Sequence, residues 1–96
     1  MVDMDTNAVT NNEAESRYEV HVDGALAGFL EYRKIGEVIA LVHTEVDDAY
    51  AGQGLGAQLA KFALDDAIAR DVKVSPLCPF VAKYIDKHPE YRVTVR

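Results

Sequence analysis

Clustered positive charge is missing from this sequence. Ten Lys and Arg face sixteen Asp and Glu, a net charge of −6, and the basic residues are spread out. Phosphate neutralisation along a nucleic acid needs Lys and Arg gathered together, so binding of that kind finds little support. Cysteine is scarce too. Cys78 stands alone, which excludes an internal disulfide framework and a multi-cysteine zinc site. His21, His43 and His88 are scattered without ligand spacing, so no metal is expected. No apolar run approaches the roughly 18 residues of a membrane helix. Nor do the first residues join a basic segment to an apolar one, as a secretory signal does. A soluble cytoplasmic protein without membrane contacts is expected.

What is present is ordinary globular composition, 49% apolar and 27% charged over 96 residues. That bounds the chain to one domain with one core and rules out wholesale disorder, collagen and coiled coil. Asp3, Asp5, Glu13 and Glu15 put −4 into residues 1–16, which contain no Lys or Arg, and the remainder carries only −2. Polar and aperiodic, residues 1–16 are expected to be a disordered acidic leader, with the domain spanning 17–96.

From Arg17 the apolar period is two. Tyr18, Val20 and Val22 alternate with Arg17, Glu19 and His21, and Asp23-Gly24 is a two-residue hairpin signal. A second strand runs from Ala27 to Arg33. After a turn at Lys34 to Gly36 comes a third, Glu37 to Val46, apolar on both faces over Val38-Ile39-Ala40-Leu41-Val42. Short turns make this an antiparallel meander. The period then becomes helical, with Leu55, Leu59, Ala63 and Ala67 on one stripe and Ala60, Leu64 and Ile68 beside it, ending near Arg70. Val72 to Leu77 reads as a short strand made parallel by the crossover. Pro79 opens a second helix, with Phe80, Val81, Tyr84, Ile85 and His88 on one face, and Pro89 stops it. Tyr91 to Val95 is expected as an edge strand. The fold class is α/β (α+β), a mixed sheet with a crossover helix and a second, shorter helix.

Between the buried strand and the first helix stands Gly52-Gln53-Gly54-Leu55-Gly56. Bare amides there, with the positive end of a helix dipole behind them, suit a phosphate group. A P-loop would need Gly-Lys-Ser/Thr, which is absent. The dinucleotide pattern G-x-G-x-x-A does match Gly52, Gly54 and Ala57, but Asp47 to Ala51 separate it from the strand, and too little chain follows for that fold.

The stretch Val46 to Gly56 resembles the signature of the GNAT superfamily of acetyl-CoA-dependent N-acetyltransferases, Arg/Gln-x-x-Gly-x-Gly/Ala opening a long helix. Gly54 and Gly56 fall on the two defining positions, and Ala51 departs from the usual Arg or Gln. His43-Thr44-Glu45-Val46, the glycine loop, Pro76-Leu77-Cys78-Pro79-Phe80-Val81 and His88-Pro89-Glu90-Tyr91 occur in the order of a small GNAT subfamily, over roughly residues 17–92. The resemblance implies acetyl-CoA as cosubstrate and transfer of acetyl to a primary amine. It implies pantetheine along Thr44 to Val46 and pyrophosphate on the amides of Gly52, Gln53, Gly54, Leu55 and Gly56. Larger members carry helices between their first two strands that wall the acceptor site. Asp23-Gly24 leaves no room for them, so an open acceptor side suited to a protein or peptide amine is expected.

Five more residues carry chemistry. Cys78 precedes Pro79 and is expected as the helix N-cap, where amides favour a thiolate; the bland alternative is a small buried hydrophobe. His43 and Glu45 share one strand face and could deprotonate an amine, directly or through water. Lys83 and Lys87, one turn apart, could neutralise a CoA phosphate. The alternative to an enzyme is a CoA-binding or protein-interaction module of the same fold.

Overall fold

The computed structural model describes residues 7–96. Five strands lie in the order β1 (Asn7–Asn12), β2 (Arg17–Val22), β3 (Ala25–Ile35), β4 (Val38–Val46) and β5 (Lys73–Pro76). Each of the first three pairs antiparallel with its successor, while β5 lies parallel to β4 after the crossover helix α1 (Leu55–Arg70). A second helix, α2 (Pro79–Lys87), packs beside α1 and against β4 and β5. The hairpin turn at Asp23-Gly24 has both residues at positive φ, 51° and 85°, the type I′ geometry whose twist matches the strands it joins.

Alternation decides which side chains enter the core. Tyr18 and Val20 of β2, Leu30 and Tyr32 of β3, and Ile39 and Leu41 of β4 meet Leu55, Leu59, Ala63, Leu64 and Ala67 of α1 in one apolar cluster. Ile68 departs from the expected stripe and is 50% exposed. Phe62 instead sets its ring edge-on to Tyr18, at 5.7 Å. Helix α1 ends where Asp71 adopts φ 57° and its amide bonds the carbonyls of Ala67 and Ile68.

Two expectations are corrected. The leader expected over residues 1–16 is not unstructured over the described part: Asn7–Asn12 forms the outermost strand. Its amide side chains hold it in place, for the Tyr32 hydroxyl donates to Asn11 Oδ1 at 2.7 Å and Asn12 Nδ2 donates to Glu19 Oε2 at 3.0 Å. Residues 1–6 lie outside the described residues. At the other end, the strand expected at Tyr91 to Val95 is a 3-10 segment, Pro89–Thr94, and Val95 alone bridges Val74. Thr94 Oγ1 donates to the Tyr91 carbonyl at 2.6 Å and the Tyr91 hydroxyl to Asp65 Oδ1 at 2.7 Å, which ties the segment to α1.

Candidate functional site

Pairing of β4 with β5 covers Val38–Leu41 against Lys73–Pro76 and then stops. Pro76 has no amide to continue the ladder. The Cys78 amide closes it by donating to the Leu41 carbonyl at 2.8 Å, and Pro79 turns the chain into α2. Past that point β4 runs on through Val42–Val46 with β3 as its neighbour on one side and, among the described residues, no strand on the other. Val42 is the extra residue of a bulge, since Leu41 faces Tyr32 and His43 faces Glu31.

Register then orients the backbone. The Asp47 amide donates to the Ala27 carbonyl at 2.8 Å, so by strand alternation His43 and Glu45 bond toward β3. The backbone groups of Thr44 and Val46 therefore point the opposite way, into the gap left by β5. Side chains follow the same parity: those of Thr44 and Val46 line a cleft of 360 Å³, whereas His43 and Glu45 project from the other face of the sheet.

The far wall of that cleft is the glycine loop and the first turn of α1. Gly54 is the N-cap, at φ 75°, and a Cβ on it would meet nothing within 4 Å. A side chain there would project into open space, at a backbone cost of about 1–2 kcal/mol for a non-glycine residue. Gly56 is glycine for a different reason. A Cβ on it would lie 2.9 Å from Cζ of Phe80, so the ring of α2 rests directly on the first turn of α1. Neither helix has an acidic residue in its first turn, so the positive ends of both dipoles stay uncompensated beside the cleft.

Cys78 is the N-cap of α2, as expected, and only 3% exposed. Burial pushes its thiol up, but the Thr44 hydroxyl at 3.3 Å and the nearby amides of Val81, Phe80 and Thr44 outweigh it, and the net shift is downward. No helix amide makes a full hydrogen bond to Sγ, so these act as neighbouring dipoles rather than as a formal cap.

Among the other expected residues, Leu55 and Gly56 line the cleft from buried positions, and Gly52 lines it with φ 81°. Gln53 is exposed and does not line it. Lys83 and Lys87 line a neighbouring cleft of 200 Å³ together with Ala57, Phe80, Tyr84 and His88. His43 and Glu45 are hydrogen-bonded at 3.1 Å, with side chains 53% and 63% exposed. Phe29 stands beside His43, ring centroids 6.4 Å apart, and carries Arg17 over its face at 4.7 Å.

Tyr50 and Phe80 wall the main cleft and were not among the expected site residues. Phe80 was assigned to the apolar face of α2. The structure divides that face: Val81 and Ile85 are buried, while Phe80, Tyr84 and His88 form a second stripe along the clefts. Their i, i+4, i+8 spacing was the available signal. A larger depression, 440 Å³, lies over the Val42 bulge among Glu15, Glu31, Arg33 and Lys34. It is lined by charges of both signs rather than by a glycine loop, so the smaller glycine cleft is the candidate site.

An α/β domain with a parted strand pair facing a glycine-rich helix start is the architecture seen in acetyltransferases of the GNAT fold. Residues 17–94 match the family described as GCN5-related N-acetyl-transferase, and the chain belongs to that family. Protein NATD1 of Mus musculus is 34% identical over 83 residues, covering 84% of this chain and 76% of the relative. The Homo sapiens protein NATD1 is also 34% identical over 83 residues, covering 84% and 74%. Among solved structures, a GCN5-like protein from Staphylococcus aureus superposes with a TM-score of 0.72 at 22% identity, over 97% of this chain and 91% of that one. A ribosomal-protein-alanine N-acetyltransferase from Brucella melitensis does so with 0.61 at 23% identity, over 83% and 60%. These structural likenesses establish the fold.

Proposed function

We propose that the protein is an acetyl-CoA-dependent N-acetyltransferase acting on a primary amine, in the cytoplasm. The observation that carries this is the parting of β4 from β5 after Leu41, which leaves the backbone of Thr44 and Val46 free beside an apolar cleft that ends on glycine amides. An extended amide-bearing arm can pair with that strand edge, and a diphosphate suits the amides of Gly52 to Gly56. The open space at the Cβ positions of Gly52 and Gly54 fits such a group. Acetyl-CoA supplies the acyl group as an activated thioester.

The chain's own groups do the rest. An amide of β4 in the gap is placed to polarise a carbonyl. An alkylammonium, with a pKa of about 10 when unperturbed, has to lose its proton before it can attack. Glu45, oriented by His43, takes that proton directly or through water from the open face of the sheet. Nothing among the described residues walls that face between β2 and β3, since the hairpin joins them in two residues, and a protein or peptide amine therefore suits it. The test is CoA release with a panel of amines, measured beside CoA binding alone. Release that depends on added amine and falls sharply in Glu45→Gln supports the proposal; binding without release would leave a CoA-binding module.

A second route is favoured by the downward shift of Cys78, namely acetyl parked on its thiol before transfer. Against it, the thiol is almost fully buried, and a cysteine thioester is no more activated than the one it would come from. Direct transfer is the reading adopted. Intact mass after incubation with acetyl-CoA alone separates the two, because only the covalent route leaves a stoichiometric adduct that Cys78→Ala abolishes.

A further inference from the structure

The apolar cluster that joins the sheet to both helices takes one face of the sheet. On the opposite face, strand alternation sets Arg17 and Glu19 of β2 beside Glu31 and Phe29 of β3, with His43 and Glu45 of β4 next to those. Apolar surface on this face gathers toward one end. Phe29 is half-buried and Leu26 is 43% exposed, and with Glu45 and Asp47 they line a cleft of 130 Å³.

Charge decides what can cover that cleft. Glu45 and Asp47 stand in its wall, and Asp23 and Asp48 lie at the same end of the sheet, in the hairpin turn and just past β4. The basic side chains of this face lie past Phe29 along the strands. Arg33 is farther along β3, and Arg17 is engaged by Glu19 at 2.7 Å. A second copy of the chain would set like charges against each other there, and an anionic membrane or a nucleic acid would be repelled. A cationic partner is attracted.

Spacing narrows the partner further. Glu45 and Asp47 are two residues apart on extended backbone, so roughly 6–7 Å separates them along the strand. Asp47 Oδ1 accepts from the Ala49 amide at 2.9 Å, which fixes the carboxylate, and among the described residues no cation pairs with it. In the reaction proposed above, Glu45 faces the reacting amine. A second positive charge at that separation meets Asp47, with the aliphatic stem between the charges lying on Leu26 and Phe29. The same span runs from the α-amine to the side-chain charge of a single N-terminal Lys or Arg.

We propose that the open sheet face docks a basic peptide segment, whose first residue sets its α-amine at Glu45 and its cationic side chain at Asp47. The inference rests on the acetyl-transfer reading and adds the class of acceptor to it. The amine nitrogen bonds the acetyl carbon as the C–S bond breaks. The protons it sheds leave through Glu45 and water, and the sulfur departs as the CoA thiolate.

Two peptides identical but for their first residue, arginine or its uncharged analogue citrulline, test this, with the α-amine as the sole acceptor in each. CoA release by the full chain is expected to show a kcat/KM roughly fivefold higher for the arginine peptide, as one partly exposed charge pair allows. That preference shrinks as salt rises. It vanishes in Asp47→Asn and is kept in part in Asp47→Glu. As a ratio within one preparation, it is not mimicked by loss of folded protein. Equal values in the wild type, a preference that survives in Asp47→Asn, or turnover of other amines but of neither peptide overturns the inference and leaves acetyl transfer standing. Absence of any amine-dependent release removes both. In sedimentation a monomer is expected; a dimer that Leu26→Asp dissolves would give the face to a second copy and contradict the proposal.

Discussion

The two halves of β4 differ both in side-chain polarity and in partners. Val38–Leu41 is hydrogen-bonded on both edges, and Ile39, Ala40 and Leu41 are buried. Val42–Val46 keeps one neighbour, and its side chains alternate between exposed and half-buried. His43, Thr44 and Glu45 suit an open half, but polarity alone does not place the change of partner. It comes from β5, which is short, ends at Pro76 and turns away at Pro79. The end of β4 thereby becomes one wall of a cleft, with unpaired backbone facing the start of α1.

Predictions follow this contrast from the paired half to the open half. Leu41→Ala leaves a cavity in the paired half and should lower stability by about 2–5 kcal/mol. For a chain whose total is of order 5–15 kcal/mol, denaturant melts will show a large drop in midpoint. Gly56→Leu sets a side chain against the Phe80 ring and should cost about 1–3 kcal/mol, partly relieved when Phe80→Ala is added. An additive double variant would show that the ring does not pack on that turn.

Asn11→Ala removes the acceptor of the Tyr32 hydroxyl and should cost about 1 kcal/mol. No change would return β1 to the status of a dispensable leader. A smaller effect is expected with pH. The Arg17 guanidinium holds the Glu19 carboxyl below the usual carboxylate range, with Asn12 assisting against burial. A group lowered in the folded state stabilises above its unfolded pKa, and that contribution is lost as pH falls through the folded value. Stability should therefore decline from about pH 4 downward, where the unfolded carboxyl begins to bind protons first, and Arg17→Gln should flatten the decline. Smallest in stability is Thr44→Val in the open half. It removes a donor to Cys78, so the thiol should titrate at higher pH, followed by the carbon shift of labelled cysteine. An unchanged titration would mean that the helix amides alone depress it.

How much of this was readable beforehand depended on whether apolar side chains did the work. The meander, α1 and α2 follow from apolar periodicity, and the glycine loop from Gly52, Gly54 and Gly56 at the start of a helix. Strand β1 was not legible, because its six residues include one valine and it is held by backbone pairing and asparagine amides. The final segment looked like an alternating strand until Tyr91 was seen bonded to Asp65 of α1, a contact between distant residues. The same limit applies to the site. Thr44, Val46, Gly52, Gly54 and Gly56 were found by position, whereas Phe80 was missed because an apolar residue on a helix face reads as core, and Tyr50 because it lies in the link between strand and glycines. His43 and Glu45 were expected on one face, and they share one, but which side of the sheet that face takes is set by the bulge at Val42.

The central claim is that the open half of β4 and the glycine loop form one binding surface for acetyl-CoA. Backbone amide shifts during titration with acetyl-CoA test it most directly. The largest changes are predicted at Thr44, Val46 and Gly52 to Gly56, with Val38 to Leu41 of the same strand nearly unmoved. Changes centred instead on Glu31 to Lys34, over the larger depression, or no changes at saturating ligand, would contradict the account.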